Sequence, residues 1–128
     1  MVNDLGGARD GVGGDLTPAQ EVVAEIEAMG GEAIANGDDV SSWDGAANMI
    51  NQAVEHFGTL HVLVNNAGIT NEALFARQDE AAIQNIINVN VMGCLWLTHA
   101  ALSRMLRRSS GRVVNISSIV DVCCMSAI

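Results

Sequence analysis

Two residue types that enzymes often use for proton transfer are missing from this 128-residue sequence. It contains no tyrosine, and its six basic residues are all arginines, so it has no lysine either. A mechanism that needs a tyrosine hydroxyl or a lysine amine from this chain is therefore excluded. Basic residues are scarce in general, because fifteen acids against six arginines leave a formal net charge of −9. That charge argues against a nucleic-acid partner.

The sequence also lacks the signals of secretion, of a disulfide framework and of a membrane span. Its three cysteines, Cys94, Cys123 and Cys124, have no histidine nearby at zinc-ligand spacing, so we expect no bound metal. The first residues show neither the basic nor the apolar region of a secretory signal. The longest apolar region, from Ile83 to Leu106, is interrupted by polar residues and does not reach the about eighteen apolar residues of a membrane span. We expect a cytoplasmic protein with no membrane partner.

What is present predicts one folded domain. Hydrophobic residues make up 49% of the chain and charged residues only 16%, which is typical of a globular protein and not of a disordered one. Strand and helix patterns alternate along the chain, which predicts a parallel α/β sheet. The predicted strands cover Val2–Leu5, Glu32–Asn36, Leu60–Val64 and Arg112–Ser117; the predicted helices begin at Thr17, near Ser41 or Ser42, and at Asp79.

The last of these helices, Asp79–Arg108, is unusual in being apolar on nearly all sides. Acidic residues stand at its start and arginines at its end, as the helix dipole favours. A helix with so little polar surface is usually buried on two sides. One side would pack on the sheet, and the other needs a partner.

Four motifs, in order along the chain, resemble those of the short-chain dehydrogenase/reductase family. Leu63–Ile69, directly after a strand, looks like the family's Asn-Asn-Ala-Gly signature, and Asn88–Gly93 is similar to the Asn-x-x-Gly stretch of its central helix. Gly111–Ser118 resembles the strand that ends in the catalytic serine. Asp38–Val40 resembles the Asp-Val pair that closes the third strand. The opening Val2–Gly7 is further similar to the branch that contains the hydroxyacyl-CoA dehydrogenase part of multifunctional β-oxidation enzymes.

The resemblance implies a Rossmann-like, doubly wound parallel sheet, of which residues 1–128 form a single partial dinucleotide-binding domain. Asp4 would end the family's second strand, so the first strand and its phosphate-binding glycine turn would lie upstream, and the C-terminal strands downstream. Gly7–Gly13 also spells Gly-x-x-x-Gly-x-Gly. We interpret it as a surface loop, because only two strands precede the Asn-Asn-Ala-Gly motif where a complete member has three.

The same resemblance implies roles for individual residues. Ser118 would orient and polarise a substrate carbonyl, and Asn90 would hold a water molecule of the proton relay. An acid at Asp4 favours NAD over NADP, because a 2′-phosphate would meet its negative charge. The residues implied to bind the cofactor are Asp4, Asp39, Val40, Asn65, Ala67 and Gly68.

The implied activity is hydride transfer between NAD(P) and a hydroxyl or ketone group of a small-molecule alcohol, ketone or hydroxyacyl thioester. In the family a tyrosine and a lysine follow the serine and carry the proton chemistry, and this sequence has neither. Whether the chain is an enzyme is therefore open, and we expect no turnover by the chain alone. Two alternatives stay open. The chain associates with itself or with full-length subunits through Asp79–Arg108, as a homo-oligomer, or it is an incomplete product without a function of its own.

Overall fold

The computed structural model describes residues 1–6, 17–71, 73 and 75–118. The glycine motif Gly7–Gly13 and residues 119–128 lie outside the described residues. Short strands and helices alternate along the chain. In order they are β1 (Val2–Asn3), α1 (Thr17–Ala28), β2 (Ala35–Asn36), α2 (Trp43–Phe57), β3 (Val62–Asn65), a 3₁₀ turn (Phe75–Arg77), α3 (Glu80–Ile87), a π-helical segment (Asn88–Met92), α4 (Gly93–Leu106) and β4 (Arg112–Asn115).

The four described strands form two parallel pairs. β1 pairs with β2, with Asn3 opposite Asn36. β3 pairs with β4, in a register that places Asn65 opposite Asn115. Among the described strands no ladder joins the two pairs. Parallel pairing confirms the predicted α/β class, and the separation of the pairs agrees with a doubly wound order in which another strand lies between them.

All four strands are shorter than the sequence pattern predicts, and β3 begins only at Val62. β1 ends before Gly6, whose φ of 73° turns the chain away from the sheet. β2 starts only at Ala35, because its hydrogen-bond ladder cannot extend beyond its short partner strand β1. One further hydrogen bond, from the Val2 amide to the Ile34 carbonyl at 2.9 Å, lies just before it. β4 ends at Asn115, where its partner β3 ends as well. Strand length here follows the partner strand more than the local propensity.

The hydrophobic core lies between the β3–β4 pair and the two helices α2 and α4. α2 begins where the Ser42 hydroxyl accepts a hydrogen bond from the Gly45 amide at 3.2 Å, and it ends at Gly58, whose φ is 77°. The observed start and end confirm the predicted helix. Its apolar side and that of α4 are removed from water together, which drives the packing. The buried core residues are Val40, Ala46, Met49, Ile50, Leu63, Leu97, Ala101 and Met105.

The opposite face of the β3–β4 pair is exposed in the part of the chain that the structure describes. Val62 and Val64 are 52% and 54% exposed, whereas Leu63 between them is buried. Val114 on the neighbouring strand, and Ile116 directly after that strand, are exposed as well. The apolar run had predicted a strand covered on both faces. For the described residues that prediction is wrong, because α2 and α4 both pack on the same face.

The long helix is confirmed, with an unpredicted change of winding. Its first amides are capped by Asp79, whose side chain accepts from the Ala82 amide at 2.8 Å. From Glu80 it continues to Leu106, but Asn88–Met92 is wound as a π-helix. Segments of this kind are rare and are frequently found at functional sites.

The same helix corrects the expectation that no segment is long and apolar enough to cross a membrane. By length and composition Glu80–Leu106 would suffice, since its few polar residues hardly lower its average hydropathy, and only 17% of its most apolar window is buried. One side of it packs into the core described above. Large apolar residues on the rest of its surface are exposed: Ile87, Val91, Leu95, Leu102 and Leu106.

Candidate cofactor-binding and catalytic site

The candidate site residues follow the carboxyl ends of the four strands. Asp4 comes directly after β1 and is exposed. Its Oδ1 accepts a hydrogen bond from the Gly6 amide at 2.7 Å, which orients the carboxylate, and within the described residues no hydrogen bond to Oδ2 is found. The backbone turn requires the positive φ of Gly6. Asp4 therefore presents a fixed acceptor at the strand end.

Asp39 lies three residues after the end of β2, where it is half-buried. The amide and hydroxyl of Ser41 donate to Asp39 Oδ1 at 2.8 and 2.7 Å. Its backbone is held closely too, because a Cβ at Gly45 would collide with the Asp39 carbonyl oxygen. No donor to its Oδ2 is found in the part of the chain that the structure describes, so two successive strand ends each offer one oriented carboxylate oxygen.

Val40 is a packing residue in this structure. It is 8% exposed, and a Cβ at Gly93 would lie 3.1 Å from its Cγ2 atom. The close approach of Gly93 brings the long helix against the turn after β2. Val40 thus fixes the position of Asp39 relative to the helix.

Asn65 ends β3 and is only 4% exposed. Its amide nitrogen donates to Asn115 Oδ1 at 2.8 Å and to the Thr98 hydroxyl at 3.2 Å. Its Oδ1 atom is buried and has no hydrogen-bond partner among the described residues. A buried acceptor without a partner costs about 1–3 kcal/mol, and such an atom near a strand end is typical of a place where a ligand donor belongs. Ala67 and Gly68, which follow it, are exposed.

Asn90 ties the π-helical segment to the loop after β3. Its Oδ1 accepts from the Ile69 amide at 2.9 Å, and its Nδ2 donates to the Ile69 carbonyl at 3.0 Å. The Asn90 carbonyl in turn accepts from the Cys94 thiol at 3.3 Å. The oxygen and the nitrogen of the Asn90 side-chain amide both form hydrogen bonds with the backbone of Ile69. Asn90 therefore sets the path of the loop that contains Gly68. The structure therefore brings these two predicted site residues together.

Ser118 lies beyond the end of β4 and is exposed. Ser117 and Ser118 both make contacts within the protein. Three residues earlier, Asn115 is paired with Asn65. Because parallel strands end at the same edge of a sheet, Ser118 belongs to the edge that also carries the loop after β3.

Three residues that the sequence analysis did not single out support these strand ends. Asn3 Nδ2 donates to Asn36 Oδ1 at 2.7 Å, and Asn36 Nδ2 donates to Gln52 Oε1 at 2.6 Å. A signal was present in the sequence, since asparagine is disfavoured within strands and stands at the last position of both β1 and β2. The described residues contain no group of three or more side chains that could hold a metal ion.

The arrangement is that of a binding edge for a ligand with several hydroxyl and amino donors. Asp4 and Asp39 supply acceptors at neighbouring strands, and the exposed backbone at Ala67–Gly68 allows close approach to a ligand. The crevice beyond the carboxyl ends of parallel strands is where open α/β sheets bind their ligands.

Comparison with known proteins identifies the family of the chain. The short chain dehydrogenase family matches residues 11–124 of the chain. The chain belongs to the short-chain dehydrogenase/reductase family. It is 43% identical over 118 residues to a short-chain type dehydrogenase/reductase of Mycobacterium tuberculosis, a match that covers 92% of this chain and 41% of that protein.

Two further comparisons support the resemblance to multifunctional enzymes and the fold. The peroxisomal hydratase-dehydrogenase-epimerase of Saccharomyces cerevisiae is 37% identical over 118 residues, covering 92% of this chain and 13% of that protein. The crystal structure of a short chain dehydrogenase from Mycobacterium avium superposes with a TM-score of 0.78 at 41% identity, over 93% of this chain and 44% of the other. The predicted family and its resemblance to multifunctional enzymes are confirmed. The chain spans less than half the length of these relatives.

Proposed function

We propose that this chain supplies the adenosine-binding strand ends and the carbonyl-orienting serine of an NAD-dependent oxidoreductase that interconverts a hydroxyl group and a ketone. The observation that carries the proposal is the pair of oriented carboxylates at Asp4 and Asp39. Each has one oxygen that accepts from a nearby donor of the chain, and among residues 1–6, 17–71, 73 and 75–118 no donor is found for the other oxygen. They stand after two paired parallel strands.

The residues present fit the adenosine half of NAD. Carboxylates at Asp4 and Asp39 suit the ribose hydroxyls and the adenine amino group, and the orphaned Asn65 Oδ1 supplies another buried acceptor at this edge. The negative charge of Asp4 disfavours a 2′-phosphate, which supports NAD over NADP. Bound NAD would supply the hydride acceptor, while these residues bind and orient it.

Ser118 is the residue we assign to the substrate. From the end of β4 its hydroxyl would donate to the carbonyl oxygen of a ketone as negative charge develops there. The proton donor that completes the reaction is not in this sequence, which has no tyrosine or lysine. We therefore propose that the 128 residues bind cofactor but do not turn over alone. The yeast relative and the stretch Val2–Gly7 support a hydroxyacyl thioester as the substrate.

The test combines binding with turnover on one preparation. NADH binding is followed by its fluorescence, for the wild-type chain and for Asp39→Asn, which keeps the shape and removes the charge. NAD reduction is followed by absorbance with a 3-hydroxyacyl-CoA. We expect saturable binding that Asp39→Asn weakens roughly tenfold, as the loss of a charged hydrogen bond predicts, and no NADH formation. Equal binding by both proteins, or turnover by the wild type, would contradict the proposal.

A second function is favoured by the exposed apolar stripe on the long helix. Val91, Leu95 and Leu102 are each more than two-fifths exposed. Nearby, Trp43 is half exposed and packs edge-on against Trp96, with ring centroids 4.8 Å apart. Contiguous apolar surface of this kind marks an interaction site. We propose that a second copy of the chain, or a full-length subunit, covers it.

The association proposal is tested with two equally exposed positions. Leu95 and Val64 are both 54% exposed, one on the long helix and the other on the open sheet face. Leu95→Glu should shift the mass measured by light scattering to that of a monomer, whereas Val64→Glu should leave an oligomer. A monomeric wild type across the micromolar range would rule the association out.

A further inference from the structure

A chain of hydrogen-bonded polar side chains lies behind the two acidic strand ends. It runs from Asn3 through Asn36 to Gln52 on α2, with a branch to Asp38. Asn36 is 7% exposed and stands at its centre. None of these side chains is itself one of the predicted cofactor contacts, so the cluster needs a separate explanation.

The side-chain amide of Asn36 uses all of its hydrogen-bonding capacity within the cluster. Its Oδ1 accepts from Asn3 Nδ2 at 2.7 Å and from the Asp38 amide at 3.0 Å. Its Nδ2 donates to Asp38 Oδ2 at 2.8 Å and to Gln52 Oε1 at 2.6 Å. Rotating the amide breaks several of these bonds together, so the cluster has one geometry.

That geometry determines where Asp4 and Asp39 stand. Asn3 directly precedes Asp4, whose amide donates to the Asn36 carbonyl at 3.1 Å. Asp38 directly precedes Asp39, and its carbonyl accepts from Asn3 Nδ2 at 2.9 Å. The same few atoms therefore hold both acid-bearing turns. A cluster that served stability alone would have no reason to be polar, since well-packed apolar side chains often stabilise as much as buried polar groups.

We propose that Asn3, Asn36 and Gln52 are positioning residues that set the spacing of the Asp4 and Asp39 carboxylates for the adenosine diphosphate ribose part of the cofactor. This inference rests on the proposed function and deepens it. The three residues act through the two aspartates and need not touch the ligand. Gln52 joins the cluster to α2, and so it links the binding edge to the helix that packs on the β3–β4 pair.

The test uses Gln52, which is half-buried and whose replacement leaves the strands intact. Gln52→Met keeps the length of the side chain but removes the acceptor, whereas Gln52→Glu keeps an acceptor for Asn36 Nδ2. The matched control is Gln84→Met, the same change at an exposed glutamine of α3. The probes are ADP-ribose and 2′-phospho-ADP-ribose, titrated calorimetrically into the 128-residue chain.

We expect Gln52→Met to raise the Kd for ADP-ribose roughly three- to tenfold and to reduce the preference for ADP-ribose over its 2′-phosphate. Gln52→Glu should retain more of the affinity and more of the preference than Gln52→Met does. Gln84→Met should match the wild type in both quantities. A loss of stability alone would not change the preference, so the ratio of the two Kd values identifies positioning. Wild-type affinity and preference in Gln52→Met would overturn this inference and leave the proposed function standing. A wild-type chain that does not bind ADP-ribose would overturn both.

Discussion

The two strand pairs are held in different ways. The β1–β2 pair is two residues long on each strand and is joined by side-chain amides, with Asn3 and Asn36 bonded across the pair. The β3–β4 pair is four residues long. One side-chain amide bond crosses it, from Asn65 to Asn115, but it rests mainly on buried apolar residues such as Leu63 and Leu97. The first pair depends on a few directional bonds and the second mainly on burial, which is less sensitive to small displacements.

This difference separates binding from stability. The polar pair carries Asp4 and stands next to Asp39, so small changes there should move ligand contacts more than they change the free energy of unfolding. The apolar pair carries the core, so changes there should unfold the chain.

The largest effect is expected from Leu97→Ala. Leu97 is 7% exposed within the core, and truncation there leaves a cavity that costs about 2–5 kcal/mol. Leu95→Ala on the same helix, where the side chain is 54% exposed, should cost below about 1 kcal/mol. Urea denaturation at low protein concentration measures both. Equal losses at the two positions would show that the helix is not packed as described.

Gly45→Ala should have the next largest effect, at the turn that holds Asp39. The new Cβ would collide with the Asp39 carbonyl oxygen, and overpacking of this kind costs about 1–3 kcal/mol. Asn48→Ala, at an exposed position on the same helix, is the control and should be nearly neutral. Denaturant unfolding gives the stability and NADH titration gives the binding. An unchanged NADH affinity in a folded Gly45→Ala protein would show that the position of this turn does not affect ligand binding.

Ser42→Ala removes the N-cap of α2 and should lower the free energy of unfolding by about 1 kcal/mol, because the Gly45 amide loses its hydrogen-bond acceptor, the Ser42 hydroxyl. Ser42→Thr should restore most of the loss. Ser103→Ala, an exposed serine on α4, is the control. Thermal unfolding compares the three variants. A melting temperature that Ser42→Ala leaves unchanged would mean that the cap contributes nothing.

The smallest effect is expected at the ion pair between Glu32 and His56. The two side chains approach to 3.0 Å, but they are 72% and 41% exposed, and such pairs contribute below about 1 kcal/mol. Glu32→Gln should therefore change stability little, and any change should vanish at high salt. A loss as large as that of Ser42→Ala would show that the loop before β2 matters more than its exposure suggests.

Much of this architecture could be predicted from residue patterns. Local signals, namely capping side chains, glycine and apolar periodicity, predict three features. They are the start of α2 at Ser42 and its end at Gly58, the long helix from Asp79, and the parallel order of the strands. The family motifs also led to Asn65 and Asn90, which the structure places at the carboxyl edge of the sheet and on the loop beside it.

Other features depend on contacts between distant segments and could not be read locally. The π-helical winding at Asn88–Met92 accompanies the bond from Asn90 to Ile69, twenty-one residues away. Gln52 looks like any helix surface residue until β2 places Asn36 against it. The open face at Val62 and Val64 likewise reflects which helices pack where, whereas an apolar run alone indicates burial on both sides.

The most direct test of the account titrates the chain separately with the two halves of the cofactor, ADP-ribose and nicotinamide mononucleotide. We propose adenosine contacts at Asp4 and Asp39, and the sequence has no tyrosine–lysine pair for the nicotinamide side. We therefore expect ADP-ribose to bind at least roughly tenfold more tightly, a difference of about 1.4 kcal/mol, and Asp39→Asn to remove the difference. Equal affinity for the two halves, or tighter binding of the mononucleotide, would contradict the account.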